Sequence, residues 1–192
     1  MFLLTKPNEA RIRRVLAEQR ASAFSYAEVG ATRGALPDAY AVQRGRVDLG
    51  HGAITFAKAV QLLMQWKMFE VPGIRLCWPD VPLRSGESVA VLVKHFGLWS
   101  INCCRIVYVI DEHGPIRRFG FAYGTLAEHA ERGEERFTVE WERASDVVGY
   151  EILSFSRPRS PLAKAGYAFA RRLQRRFLRQ SLAAMTKAVG GE

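Results

Sequence analysis

From residue 74 to residue 155 the apolar positions recur every second residue, and no other feature of the chain limits its fold as much. Segments 74–78, 88–96, 99–110, 116–123, 134–141 and 147–155 read as strands. The alternation is cleanest where Phe137, Val139 and Trp141 interleave with Arg136, Thr138, Glu140 and Glu142, the pattern of a strand with one buried face. Pro79-Asp80, residues 111–114 and residues 143–146 carry turn chemistry. Six consecutive strands with links this short make an antiparallel meander.

Helical spacing appears on either side of this block. Residues 7–23 read as a helix capped by Asn8, with Ile12, Val15, Leu16 and Gln19 on one face. Residues 24–29 are short and aromatic and read as a strand ending at Gly30. Residues 32–37 are turn-like, and 40–49 read as a further strand. Gly50 and Gly52, around His51, open a second helix over 53–69 with an apolar stripe of Ile54, Phe56, Ala57, Val60, Leu63, Met64 and Met68. The chain closes with a helix over 161–189, started by Ser160 and Pro161. Leu162, Phe169, Leu173, Phe177 and Ala184 share one face of it, and Lys164, Arg172, Arg175 and Arg179 the other. The expected fold is α+β: a curved antiparallel sheet wrapped around a long C-terminal helix, with N-terminal helices. No linker, repeat or low-complexity tract divides it, so residues 1–192 read as one domain. A sheet that curls in this way commonly encloses a ligand cavity.

Charge is concentrated at one end. Arg157, Arg159, Lys164, Arg171, Arg172, Arg175, Arg176, Arg179 and Lys187 account for the net charge of +9, and no acid falls between Glu151 and Glu192. Such a segment suits an anionic neighbour: phosphate groups, nucleic acid, a membrane surface or an acidic protein. Three cysteines, Cys77, Cys103 and Cys104, form neither a disulfide framework nor a zinc motif. Cys103 and Cys104, being adjacent, are expected on opposite faces of a strand. No segment has the run of roughly 18 apolar residues that a membrane span needs. The first residues are too short an apolar run for a signal-peptide core, and the expected location is the cytoplasm.

A set of motifs occurs in order along the chain: residues 24–32 (FSYAEVGAT), 49–52 (LGHG), 66–69 (WKMF), 95–99 (HFGLW), 102–105 (NCCR), 119–126 (FGFAYGTL), His129 with 133–137 (GEERF), and 155–158 (FSRP) leading into 172–177 (RLQRRF). In these the chain resembles the family catalogued as domain of unknown function 1990, also called uncharacterised protein family 0548, over about residues 22–189. That family is grouped with the START and polyketide-cyclase-like helix-grip superfamily. The resemblance implies a curved sheet gripping a C-terminal helix around a pocket, and brings no established activity. Members of the wider superfamily bind lipids, hormones and polyketides, and some are cyclases, dehydratases or subunits of hydroxylating systems.

Several residues have the chemistry to work in such a pocket. His129 is followed by Glu134 and Glu135, and an imidazole with a carboxylate can move a proton near neutral pH. Glu135 shares the inward parity of Phe137, and Glu134 points the other way. An inward carboxylate without a partner would have a raised pKa; the alternative is that Glu135 pairs with Arg105 or Arg157. His95 continues the parity of Val89, Val91 and Val93. Tyr123 follows Phe119 and Phe121, where a phenol beside phenyl rings can bond a ligand carbonyl. Tyr150 and Ser154 are similar. His51 sits where a helix N-terminus could hold an anion. No metal set, phosphate loop or nucleophile elbow occurs, and no cofactor is called for. Three readings follow. The first is a carrier of an apolar or amphipathic small molecule, with His51, Arg105, Tyr123, Tyr150 and Ser154 as its contacts. The second is an enzyme of cyclase, dehydratase or isomerase type using His129, Glu135, His95 and Tyr123. The third is an interaction module whose Arg171, Arg172, Arg175, Arg176 and Arg179 dock on an anionic partner.

Overall fold

The structure, a computed structural model, describes residues 2–95, 97–159 and 167–191. Its elements are β1 (Phe2–Leu3), α1 (Glu9–Gln19), β2 (Ala41–His51), α2 (Gly52–Met64), β3 (Ile74–Cys77), β4 (Ser88–His95), β5 (Leu98–Glu112), β6 (Ile116–Thr125), β7 (Glu131–Glu142), β8 (Val147–Pro158) and α3 (Tyr167–Gly190). The meander forms as its alternation requires. Strands β3 to β8 pair successively and antiparallel, β2 adds to the free side of β8, and β1 pairs with β5. The sheet is a curved half-barrel. Its concave face carries α2 and α3, whose Phe56, Leu63 and Met185 join Phe121, Phe137, Val139 and Ile152 in the main core. Its convex face carries α1, whose Ile12, Val15 and Leu16 pack on Ala90, Leu92, Ile101 and Cys103. Cys104 lies in the concave core, so the adjacent cysteines do face opposite ways. The fold is therefore α+β, a curved sheet closed by the C-terminal helix.

Four local expectations change. Residues 24–29 form no strand; only Phe24 makes a bridge, to Leu126, and the segment turns across the convex face. The second helix stops at Met64 rather than continuing to 69. Trp66 takes a left-handed conformation (φ 58°) and a short 3-10 turn, Lys67–Phe69, follows. That break turns Trp66 and Phe69 into the core, where Trp66 meets Phe121 at 4.7 Å between ring centroids. The apolar stripe of α2 is accordingly narrower than its composition suggests, with Ile54 87% and Met64 52% exposed. On α3 the buried residues are Ser181 and Met185, with Phe177, Leu178 and Leu182 half-buried beside them. The start read at Ser160 and Pro161, and the face positions Leu162, Lys164 and Phe169, lie outside the described residues or side chains.

Residues 24–40 are tied to the sheet by Ser25 on Thr125, by Arg136 on the Thr32 carbonyl and, at the centre, by one carboxylate. Glu134 is only 2% exposed. It accepts from the Tyr26 hydroxyl at 2.7 Å, the Gly30 amide at 2.7 Å, the Thr32 amide at 3.0 Å and the Thr32 hydroxyl. A buried charge is tolerable when its lone pairs are filled in this way. Gly124 makes the arrangement possible, because a Cβ there would overlap the Tyr26 hydroxyl. Replacing Glu134 by Ala leaves three residues of the strap with buried, unfilled donors. Urea unfolding is expected to show a loss of about 3–5 kcal/mol for that variant, and about 1–2 kcal/mol for Tyr26→Phe. Losses below half a kilocalorie for both would show that the strap is not held by this carboxylate.

Candidate functional site

The register of four neighbouring strands places Tyr123 (β6), Glu135 (β7), Ser154 (β8) and Gln43 (β2) in one cross-strand row. All four occupy the concave parity, in step with Phe121, Phe137, Ile152 and Gly45. With strands about 4.8 Å apart the row spans roughly 14 Å. α3 passes over it. On one side of the row Gln174 Nε2 donates to Ser156 Oγ at 2.8 Å and to the Glu131 carboxylate. On the other side Leu178 and Leu182 lie over Gly45, where a Cβ would stand 3.0 Å from Leu178 Cδ1. Glycine at that position lets the helix close on β2.

Aromatic rings form the floor beside the row. Phe69, Tyr123, Phe137 and Phe177 stand in contact, with centroids of 5.4 Å for Phe69–Phe177 and for Tyr123–Phe137. Against this floor the Tyr123 hydroxyl donates to Glu135 Oε2 at 2.8 Å. Burial pushes the Glu135 carboxyl up to about 7, the Tyr123 hydrogen bond opposes the rise, and the nearby Glu131 charge adds to it. Burial also raises Glu131, against bonds from Ser156 and Gln174 and the charge of Arg171. Burial and the Glu135 charge hold the Tyr123 phenol well above its usual value. Among the described residues Glu135 forms no ion pair, Ser154 makes no side-chain hydrogen bond, and the buried Gln43 Nε2 has no partner. The row thus combines a carboxyl poised near neutrality with unused donors and acceptors.

The other predicted residues lie elsewhere. His129 does not join Glu135. Its Nδ1 accepts from the Glu131 amide at 3.0 Å, closing the turn before β7, and burial lowers the ring to about 4. Arg105 faces the convex side, where its Nη2 donates to the carbonyls of Gln19, Arg20 and Ser22 at 3.2, 2.9 and 2.8 Å. It satisfies the open C-terminus of α1, where a cation is favoured, and neither contacts a concave-face ligand nor pairs with Glu135. Arg157 stacks over Tyr40, 4.4 Å from its centroid. His51 is exposed at the start of α2, where the first helical amide, of Gly52, already bonds the Asp146 carbonyl at 2.9 Å. Tyr150 does face inward but is closed off beneath α3, 3.4 Å from Ser181 Oγ. The side chain of His95 lies outside the described part. The residues missed were Gln43, Glu131 and Gln174. Gln43 shares the inward parity of Val47, which was a usable signal; Glu131 falls before the predicted strand start.

On α3, Arg172, Arg175, Arg176 and Arg179 are exposed and form no ion pair among the described residues, whereas Arg171 is half-buried and donates to Gln174 Oε1 at 2.9 Å. No group of three His, Cys, Asp or Glu able to hold a metal ion occurs among the described residues, and no described helix is long and apolar enough to cross a membrane.

Sheet and terminal helix together define an α+β domain in which a curved antiparallel sheet is closed by its C-terminal helix, with a polar row on the concave face. The chain belongs to the family described as Domain of unknown function (DUF1990), whose profile matches residues 25–184. It is 36% identical to a UPF0548 protein of Dictyostelium discoideum, with 99% of this chain and 96% of that protein covered. It is 35% identical to a UPF0548 protein of Deinococcus radiodurans, with 99% and 100% covered. A crystal structure of the hypothetical protein jhp0584 from Helicobacter pylori shares the fold, with a TM-score of 0.51, 15% identity, and 85% of this chain and 94% of that chain covered.

Glu135 and His129 act on stability in opposite senses. Glu135 has a folded pKa raised from 4.5 to about 7, so the folded state holds its proton longer and stability falls as pH rises between those values. His129 has a folded pKa lowered from 6.5 to about 4, so its contribution is present above 6.5 and is lost as pH falls toward 4. Glu135→Gln removes only the first effect. It is expected to raise stability at pH 8 by roughly 1–3 kcal/mol and by little at pH 4.5. Denaturant titrations at both pH values would refute the assignment if the gain were equal.

Proposed function

We propose that this chain binds an apolar or amphipathic small molecule on the concave face, between the curved sheet and α3. The supporting observation is the row Gln43–Ser154–Glu135–Tyr123. Tyr123 is buried and the other three members are half-buried beneath the helix; those three keep hydrogen-bonding capacity that no described side chain uses, and the Gln43 Nε2 atom is itself buried without a partner. A ligand with one polar end and an apolar body would meet that row with the first and the Phe69, Phe137 and Phe177 rings with the second. Binding is favoured over proton-transfer catalysis because Tyr123 and Glu135 converge while His129 is tied to the backbone of its own turn. A cytoplasmic setting is part of this proposal.

A second reading has its own observation. Arg172, Arg175, Arg176 and Arg179 lie along about two turns of α3, exposed and without acidic partners among the described residues. They suit an anionic partner, and such binding would weaken steeply with salt.

Native mass spectrometry of protein purified gently from its own cells tests the first reading. The expected spectrum shows a small-molecule adduct that denaturation releases. Ser154→Phe, which fills the centre of the row, should abolish the adduct, and Ser154→Val should reduce it, with circular dichroism unchanged. An adduct of equal occupancy in both variants would place the ligand elsewhere. Bare wild-type protein that gains no thermal stability from amphipathic additives would count against binding altogether.

A further inference from the structure

We propose that the polar end of the bound molecule is a protonated amine, held by Glu135 with Ser154 and Gln43 beside it. The inference rests on the binding reading above and specifies the ligand class for that site.

The geometry favours a cation at this place. Glu135 receives one hydrogen bond, from Tyr123 at 2.8 Å, and among the described residues no Lys, Arg or His pairs with it. Among the described residues the titratable groups that act on it are neutral or acidic: Tyr123 from β6, Cys104 from β5, Tyr150 from β8, and Glu131 further along β7. Arg171 of α3 is turned to Gln174 Oε1 and acts on Glu131. The 3-10 turn Lys67–Phe69 contributes the Phe69 ring. An ammonium group offers three donors and a charge. It would meet the open oxygen of Glu135, the Ser154 hydroxyl and the Gln43 amide, whose two ends exchange by a half-turn. The faces of Phe69, Phe137 and Phe177 add attraction for a cation as well as apolar area. A carboxylate or phosphate head would face Glu131 and Glu135 with like charge. A neutral head would leave Glu135 uncompensated whenever it ionises.

Calorimetric titration of the full chain with octylammonium, octanol and octanoate separates these cases, because the apolar body is constant. The amine is expected to bind tightest. Its affinity should fall roughly tenfold per pH unit below 7, where a proton must leave Glu135 first, and level off between 7 and 9. Octanoate should show the reverse slope. Glu135→Gln should flatten the amine profile and erase the preference for the amine over octanol. Equal affinity for all three probes, or an amine profile unaltered in Glu135→Gln, would overturn the amine assignment and leave the binding site standing. Failure of all three to bind would overturn both.

Discussion

Strand β7 carries two adjacent carboxylates, and the two-residue period of a strand sends them to opposite faces of the sheet. Everything specific about this molecule depends on how differently those two are treated. Glu134, on the convex side, is given four donors from Tyr26, Gly30 and Thr32 and becomes the anchor of the strap over residues 24–40. Glu135, on the concave side, is given one, from Tyr123. A carboxylate with filled lone pairs strengthens a fold, and one left nearly bare weakens it at neutral pH. A one-residue slip of β7 would exchange the two environments and break both.

The concave environment is set by how the helices close. The left-handed turn at Trp66 ends α2 early and brings Phe69 against Phe137 and Phe177, so the floor beside the row is aromatic. Gly45 lets Leu178 and Leu182 settle on β2, which brings Gln174 down to Ser156 and Glu131. The helix is thus seated at points on either side of the polar row, and the row lies between them. A larger residue at 45 would press on the side-chain ends of Leu178 and Leu182, which would have to shift to keep the helix seated.

Much of this was legible in the sequence, and the failures share a cause. The meander, its parity, the inward Glu135 and Tyr123, and the Asn8 cap followed from local patterns, because period and capping are local properties; the cap is realised as Asn8 Oδ1 accepting from the Arg11 amide at 2.9 Å. The roles of Arg105, Glu134 and His129 did not follow, because each is decided by a partner that only the tertiary fold supplies. Arg105 meets the end of α1 from 83 or more residues away, and Glu134 meets Thr32 across 102. The parity of Glu134 was right, but nothing in its neighbours showed that a strap would cover it. Aromatic composition misled at residues 24–29, where Phe24 and Tyr26 serve as convex-face anchors against Phe155 rather than as strand residues.

Charge separation across α3 ties these observations together. The terminal segment holds the chain's entire positive excess, yet burial and the Glu131 charge push up the carboxyl beneath the same helix, and no described cation pairs with it. The exposed arginines point to solvent, where water and salt screen their field within about 10 Å. The half-buried Arg171 is turned aside by Gln174. A single arginine reaching inward instead would pair with Glu135 and drop its pKa. The helix supplies arginines in abundance and delivers none to that carboxyl among the described residues. A stability-optimised core would have made that pairing or placed an apolar residue at 135. Keeping an acid there, bonded by one phenol and flanked by a free hydroxyl and amide, is the arrangement expected of a position reserved for a group that comes from outside the chain.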